Sequence, residues 1–357
     1  MARGRRSAGA PAEQGEPVVP RGADPPPPGS RDRRDAAQPR ARAGSRGRRS
    51  RGARVGTARL PHRCLRGARH PTRRIFVSPP IDTLPIAGAL GAELRGLDLS
   101  QQLDDASVDA VLEALYEHKV IFLRAQHLTP EQHIGFSAQL GPIFTDHPAY
   151  LPTLEGHREI VALDGQQGGR ANLWHSDVSI SAKPPRGSVL YMKNGPAWGG
   201  DTMWADMSAA YDALSDRMKA YLEGLDAVHD LAGTVRNVVR ERSQQTKAPA
   251  GKLPDMASLP RAIHPVVCTH PVTGRRFLYV NPTFTAHIEG LPPAEADAVL
   301  AFLFRHQDQP EFQCRWRWQT GDVAIWDNLA THHYAIADYG DEPRTIHRVT
   351  LEGEAPA

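Results

Sequence analysis

The stretch Trp174-His175-Ser176-Asp177-Val178 places a histidine and an aspartate two positions apart. In an extended strand, residues at this spacing point to the same face, so the imidazole and the carboxylate can reach one ion. The pair alone is weak evidence, because the second His-x-Asp sequence, His306-Gln307-Asp308, falls at the predicted end of a helix. A surface or structural polar pair is the ordinary explanation of one such motif.

Short apolar segments surround this stretch and predict a mainly β protein. From residue 160 onward, the predicted strands cover residues 160–163, 174–180, 188–193, 202–205, 277–280, 312–319, 322–326 and 345–351. Helices are predicted only at residues 208–225 and 293–306, and residues 236–260 are predicted to form a loop. Many short strands with few helices indicate a sandwich or a barrel rather than a parallel α/β sheet.

The segment between residues 75 and 140 predicts strands and two helices. Strands are predicted at residues 75–78, 92–99 and 120–123, and the apolar spacing of residues 104–118 predicts an amphipathic helix. Thr129 is a candidate cap for a second helix, with Pro130 in its first turn.

Charge divides the chain into two parts. Residues 1–74 contain 20 Arg, no Lys and 5 acidic residues, whereas the remainder carries an acidic excess. The first part has too few apolar side chains to offset chain entropy, so we expect a disordered Arg/Pro/Gly-rich tail at residues 1–74 and one domain at residues 75–357. The composition of residues 1–74 favours an extension without function. The alternative is non-specific nucleic-acid binding, for which loss of turnover on deletion of residues 1–74 would be evidence.

The remaining composition predicts a soluble cytoplasmic protein. Three cysteines, Cys64, Cys268 and Cys314, are too few for a disulfide framework and do not have the spacing of a zinc module. The sequence has no apolar run long enough to span a membrane, and its first residues lack the order of a secretion signal.

A third candidate ligand strengthens the case for a metal site. His333 follows Trp326-Asp327-Asn328, which ends a predicted strand, and we expect it in a turn after Thr331-His332. Two imidazoles and one carboxylate form the 2-His-1-carboxylate triad of non-heme Fe(II) enzymes, which leaves positions open for substrate and O₂. A zinc hydrolase with the same ligands stays open as an alternative, although the sequence offers no obvious glutamate base near them.

At this point the sequence resembles a known family. Trp174–Val178, the segment Gly199-Gly200-Asp201-Thr202-Met203-Trp204, and Ile325-Trp326-Asp327-Asn328 through His333 to Arg348 resemble the TauD/TfdA family of Fe(II)- and 2-oxoglutarate-dependent dioxygenases. The resemblance extends from about residue 74 to residue 354. It implies a mainly β fold with flanking helices around a double-stranded β-helix, or jelly-roll, core.

The resemblance also implies roles for the site residues. His175, Asp177 and His333 would bind Fe(II) and be the catalytic residues, with 2-oxoglutarate and O₂ as co-substrates. Thr202 and Arg344 would bind the remote carboxylate of 2-oxoglutarate, a task for which a guanidinium is well shaped. A surface ion pair of Arg344 with Asp341 or Glu342 is the structural alternative.

The taurine-specific branch of the family is the most similar. His147 and Tyr150, in the segment His147-Pro148-Ala149-Tyr150, would contact the substrate, and Arg348 would bind its sulfonate. Val178 and Phe284 would line the pocket. An ordinary loop is the alternative explanation of the His147 segment. Residues 168–172 differ from the taurine enzyme where its amine end is contacted, and residues 236–260 also diverge.

The implied reaction is hydroxylation of the carbon next to sulfur in taurine or a related sulfonate, which releases sulfite and an aldehyde together with succinate and CO₂. The alternative is the same chemistry on an alkyl sulfate, an aryloxyalkanoate or another small organic acid. We expect a small anionic substrate and a homo-oligomer, with no membrane partner and no specific nucleic-acid partner.

Overall fold

The structure is a computed structural model that describes residues 81–147, 151–165, 171–232, 235 and 259–357. The tail predicted at residues 1–74, the strand predicted at 75–78 and most of the loop predicted at 236–260 lie outside the described residues. Strands dominate the described part of the chain, as the sequence predicts. None of the helices described there is both long and apolar enough to cross a membrane.

The strands are short and follow one another in seventeen segments of the described residues. In chain order they are β1 (Asp82–Pro85), β2 (Ala92–Arg95), β3 (Val120–Leu123), β4 (Ile143–Phe144), β5 (Thr153–Leu154), β6 (His157–Asp164), β7 (Gly187–Asn194), β8 (Thr202–Asp206), β9 (Asp226–Asp230), β10 (Arg261–Pro265), β11 (Val267–Thr269), β12 (Arg276–Leu278), β13 (Thr285–Ile288), β14 (Gln313–Trp316), β15 (Val323–Asp327), β16 (Thr331–Ala335) and β17 (Thr345–Leu351).

The helices with described bounds are α1 (Asp105–His118), α2 (Pro130–Leu140), α3 (Met207–Asp212), α4 (Asp216–Leu222) and α5 (Pro293–Gln307), followed by a 3-10 turn at Pro310–Phe312. The two predicted N-terminal helices are confirmed by their caps. The Asp104 side chain accepts a hydrogen bond from Ser107 N at 2.8 Å, and Thr129 forms a capping box with Gln132.

The strands form four sheets in the described residues. The largest has nine strands in the order β1-β2-β3-β15-β7-β17-β6-β5, with β4 beside β17, and its pairs are antiparallel except β2–β3. A second sheet has the order β14-β8-β16, a third has the order β10-β9-β13, and β11 pairs with β12.

The two faces of the nine-stranded sheet bury different side chains. Alternate residues of β3 show this, since successive side chains on a strand point to opposite faces. Ile121 and Leu123 pack in one apolar cluster with residues of α1 and α2. Val120 and Phe122 pack in another with tryptophans of β8 and β14, where Phe122 stacks on Trp316 at 4.1 Å between ring centroids. The nine-stranded sheet and the three-stranded sheet β14-β8-β16 therefore pack face to face.

Several predicted elements have different bounds from those expected, and two of these differences have a clear local cause. The helix predicted at residues 208–225 is two helices, because the Ser215 side chain accepts from Met218 N and starts α4 there. The strand predicted at residues 92–99 ends at Arg95, where Gly96 adopts a φ of 89° that few other residues tolerate.

The strand predicted at residues 174–180 is wrong. His175 alone pairs, in an isolated antiparallel bridge with His333, and residues 177–180 form a turn in which Val178 has a φ of 52°. His333, expected in a turn, instead lies within strand β16. A bridge between two distant segments, rather than one continuous strand, therefore brings the candidate ligands together.

Candidate active site

The three candidate metal ligands meet in the interior. His175, Asp177 and His333 are buried, and one potential ligand atom from each lies within 4.8 Å of the others. The Nε2 atoms of both histidines lie 3.8 Å from Asp177 Oδ1. The bridge fixes this approach, since His175 N donates to His333 O at 3.1 Å and His333 N donates to His175 O at 2.8 Å.

The protonation of this group suits a cation. His175 Nδ1 lies 2.7 Å from the carbonyl oxygen of Leu173, so this nitrogen carries the proton and the lone pair of Nε2 is directed at Asp177. Burial lowers the pKa of His175 and lowers that of His333 further, so both imidazoles are neutral. Two neutral imidazoles and a carboxylate, with no thiolate in the group, fit a ferrous ion.

Arg348 contacts the metal-ligand candidate Asp177 directly. Its Nη1 donates to both carboxylate oxygens, each at 2.8 Å, and both side chains are buried. Burial, the largest single effect, would raise the pKa of Asp177, but the charge and hydrogen bond of Arg348 together with the electrostatic effects of His333 and His175 outweigh it, and the pKa is lowered to about 2. The carboxylate is therefore ionised at neutral pH. The sequence had suggested only a substrate contact for Arg348.

Arg348 also keeps a donor that makes no hydrogen bond to the described residues. Its Nε is buried there without a partner, as is Nε2 of His147. After burial, the charge of Arg348 is the largest cause lowering the pKa of His147, which indicates that the two side chains are near each other. The unsatisfied Arg348 donor suits an anion, because a buried donor without a partner costs free energy.

Thr202 and Arg344 also meet, as the resemblance implies. The Thr202 hydroxyl oxygen accepts from Arg344 Nη2 at 3.4 Å and from Trp318 Nε1 at 2.9 Å. These donors occupy the two acceptor positions of the oxygen, so its own hydrogen is directed to another group. Arg344 is 5% exposed, and its Nε donates to the neutral carbonyl of Gly200 at 3.1 Å. Sequence reasoning missed Trp318, whose indole at position 318 gives no local signal of this contact.

An apolar group lies beside the histidines. Phe284 packs edge-on to His175 with 6.3 Å between ring centroids, and it clusters with Ile180 and Leu231. Val178, Val235 and Leu259 pack against this cluster and stay half-buried. Val178 and Phe284 are thus together near the candidate metal ligands. Tyr150 lies outside the described residues.

Comparisons with known proteins place these features in one family. The sequence profile described as "Taurine catabolism dioxygenase TauD, TfdA family" matches residues 82–350. The chain belongs to the TauD/TfdA family. It is therefore a 2-oxoglutarate-dependent oxidoreductase with a jelly-roll fold, and the zinc hydrolase alternative has no support.

Individual TauD/TfdA relatives differ in the substrates that they are named for. A sulfate ester dioxygenase of Pseudomonas putida is 41% identical over 281 residues, which cover 77% of this chain and 91% of the relative. An alkylsulfatase of Acinetobacter baylyi is 37% identical and covers 78% of this chain and 88% of its own. The crystal structure of a taurine dioxygenase from Burkholderia xenovorans has a TM-score of 0.66 and is 36% identical, with 78% of this chain and 91% of that chain covered.

Proposed function

We propose that the chain is an Fe(II)-dependent dioxygenase that hydroxylates the carbon bearing the sulfate group of an alkyl sulfate. The hydroxylated product would collapse to an aldehyde and sulfate, while 2-oxoglutarate and O₂ yield succinate and CO₂. The apolar group formed by Val178, Ile180, Phe284 and their neighbours beside His175 carries this proposal.

His175, Asp177 and His333 would hold the ferrous ion. Bound iron supplies the activation of O₂ that is coupled to oxidative decarboxylation of 2-oxoglutarate. Arg344 and the free hydroxyl hydrogen of Thr202 would hold the remote carboxylate of that co-substrate, because Arg344 makes its hydrogen bonds in the structure to neutral groups. This contact would orient 2-oxoglutarate with its keto acid end towards the metal.

Arg348 and His147 would bind the sulfate group. Arg348 Nε is a buried donor without a partner among the described residues, and the equally unpartnered His147 Nε2 would donate to an anion once the imidazole takes up a proton. An anion that accepts from both would satisfy them and would be held close to Asp177. This position would bring the carbon that carries the sulfate near the metal ligands, where hydroxylation takes place.

The apolar group decides which organosulfur anion fits. An alkyl chain buried against Val178, Val235 and Phe284 gains about 0.8 kcal/mol for each methylene removed from water. The ammonium group of taurine would lose hydration against the same side chains and would need a charged or polar partner. The names of the Pseudomonas and Acinetobacter relatives agree with the alkyl sulfate.

Taurine, which the sequence favoured, is the second candidate. It is supported by the name of the Burkholderia structure and by the match of His147 and Arg348 to the taurine-specific branch. Both candidates present an anion to Arg348. They differ in the bond broken after hydroxylation, which is carbon–oxygen for the sulfate ester and carbon–sulfur for taurine.

The test is to incubate the Fe(II)-loaded enzyme with 2-oxoglutarate and either hexyl sulfate or taurine, and to measure sulfate, sulfite and succinate. We expect sulfate and succinate in equal amounts from hexyl sulfate, and little sulfite from taurine. Stoichiometric sulfite from taurine without sulfate from hexyl sulfate would overturn the preference. Phenol release from an aryloxyacetate, with neither of the other reactions, would favour the aryloxyalkanoate alternative.

A further inference from the structure

Asn328 makes its side-chain hydrogen bonds around Asp177. Its Oδ1 accepts from Asp177 N at 2.7 Å, and its Nδ2 donates to Asp177 O at 3.0 Å. The same Nδ2 donates to Pro185 O at 2.8 Å. Asn328 is fully buried, so water does not compete for these bonds. One side-chain amide therefore holds both backbone polar groups of a candidate metal ligand.

This contact matters because Asp177 lies in a turn. Its neighbours 178–180 continue the turn, and Val178 adopts the left-handed region with a φ of 52°, which is unfavourable for a β-branched residue. Hydrogen bonds to the N–H and to the C=O of Asp177 fix the peptide planes on both sides of its Cα. The direction in which the Asp177 side chain leaves the backbone is thereby set before any ligand binds.

The segment that contains Asn328 connects the turn at Asp177 to β16, the strand that carries His333. Ser176 Oγ donates to Asn328 O at 2.6 Å, and Thr331 Oγ1 donates to Asp327 O at 2.6 Å at the start of β16. Asn328 therefore lies shortly before β16 in the sequence, and its side-chain amide holds the segment that contains Asp177. This link joins the two segments in addition to the backbone bridge between His175 and His333.

We infer that Asn328 is a positioning residue that fixes the carboxylate of Asp177 relative to His175 and His333. The inference rests on the proposed metal ligands and is independent of the substrate. Residues that orient a metal ligand without touching the metal commonly change metal affinity by about 10–100-fold when they are replaced. Asn328 has this relation to Asp177 through its backbone.

The test compares Asn328→Leu with Gln126→Leu. Gln126 is a matched control because its amide also makes three hydrogen bonds to backbone groups, with Leu99 N, Leu97 O and Arg124 O, on a different segment. Mn(II) is added to each purified protein without co-substrate, and free Mn(II) is measured by electron paramagnetic resonance. Near-ultraviolet circular dichroism and thermal unfolding report the fold of each variant.

We expect both variants to lose thermal stability and only Asn328→Leu to lose Mn(II) affinity, by about 10–100-fold. Asn328→Ala, which leaves room for water to pair the released groups, should give the same result if the leucine variant does not fold. Wild-type affinity in a folded Asn328 variant, or an equal loss in Gln126→Leu, would overturn the inference. Failure of the wild type to bind Mn(II) would instead refute the proposed metal site together with it.

Discussion

Arg344 and Arg348 are four residues apart but have different partners. Arg344 Nη2 donates to Thr202 Oγ1, and Arg348 Nη1 donates to the carboxylate of Asp177. A single type of side chain therefore occurs in two electrostatic environments. Arg344 bonds to neutral groups and has its charge available to a new anion, whereas Arg348 already compensates Asp177 and has only its remaining donors available.

This difference predicts that two alanine variants raise the KM of different reactants. Arg344→Ala should raise the KM for 2-oxoglutarate, since loss of one partner of a desolvated charge pair costs about 2–5 kcal/mol. Arg348→Ala should mainly raise the KM for the organosulfur substrate. Steady-state kinetics with each reactant varied in turn measures the two effects.

Arg276→Ala is the control for these variants, because Arg276 pairs with Glu223 in a partly exposed ion pair away from the candidate ligands. It should leave both KM values unchanged. A higher KM for 2-oxoglutarate in Arg348→Ala, with Arg344→Ala affecting only the organosulfur substrate, would exchange the proposed roles.

Some strands and helices could be predicted from signals within a short stretch of sequence. The short apolar run Val120-Ile121-Phe122-Leu123 predicted β3 as a buried strand, and β3 places alternate side chains in two apolar clusters. Thr129 and Pro130 predicted the start of α2. Such elements could be found because the signal lies within a few consecutive residues.

Contacts between distant segments could not be predicted in this way. The argument that His175 and Asp177 share the face of a strand placed the two side chains together for a wrong reason, because only His175 pairs and Asp177 begins a turn. The bonds of Asn328 to Asp177 join residues 151 positions apart, and those of Arg348 to Asp177 join residues 171 apart. No periodicity encodes such pairs.

The whole molecule should lose stability in mild acid because it buries neutral histidines. Burial lowers the pKa of His133 to about 4 and that of His229 to about 3. Between these values and the usual 6.5, the unfolded chain binds protons that the folded protein does not, so stability is complete above pH 6.5 and falls below it. In this pH range, each of the two histidines lowers the free energy of unfolding by about 1.4 kcal/mol for each pH unit of acidification.

Urea unfolding at several pH values between 5 and 7.5 measures this dependence. His133→Gln should reduce the slope by one histidine's share, since its Nε2 hydrogen bond to Val189 O can be replaced by an amide while the proton-binding site is removed. An unfolding free energy that is constant across this range would contradict the burial of these two side chains in neutral form.

The most direct test of the proposed centre is an anaerobic optical titration of the full chain with Fe(II), then 2-oxoglutarate, then hexyl sulfate. We expect a visible absorption band only when Fe(II) and 2-oxoglutarate are both present, saturating at one iron per chain and shifting when hexyl sulfate is added. His333→Ala should show no band. A wild-type protein without this band, or a band of equal strength in His333→Ala, would contradict an iron site formed by His175, Asp177 and His333.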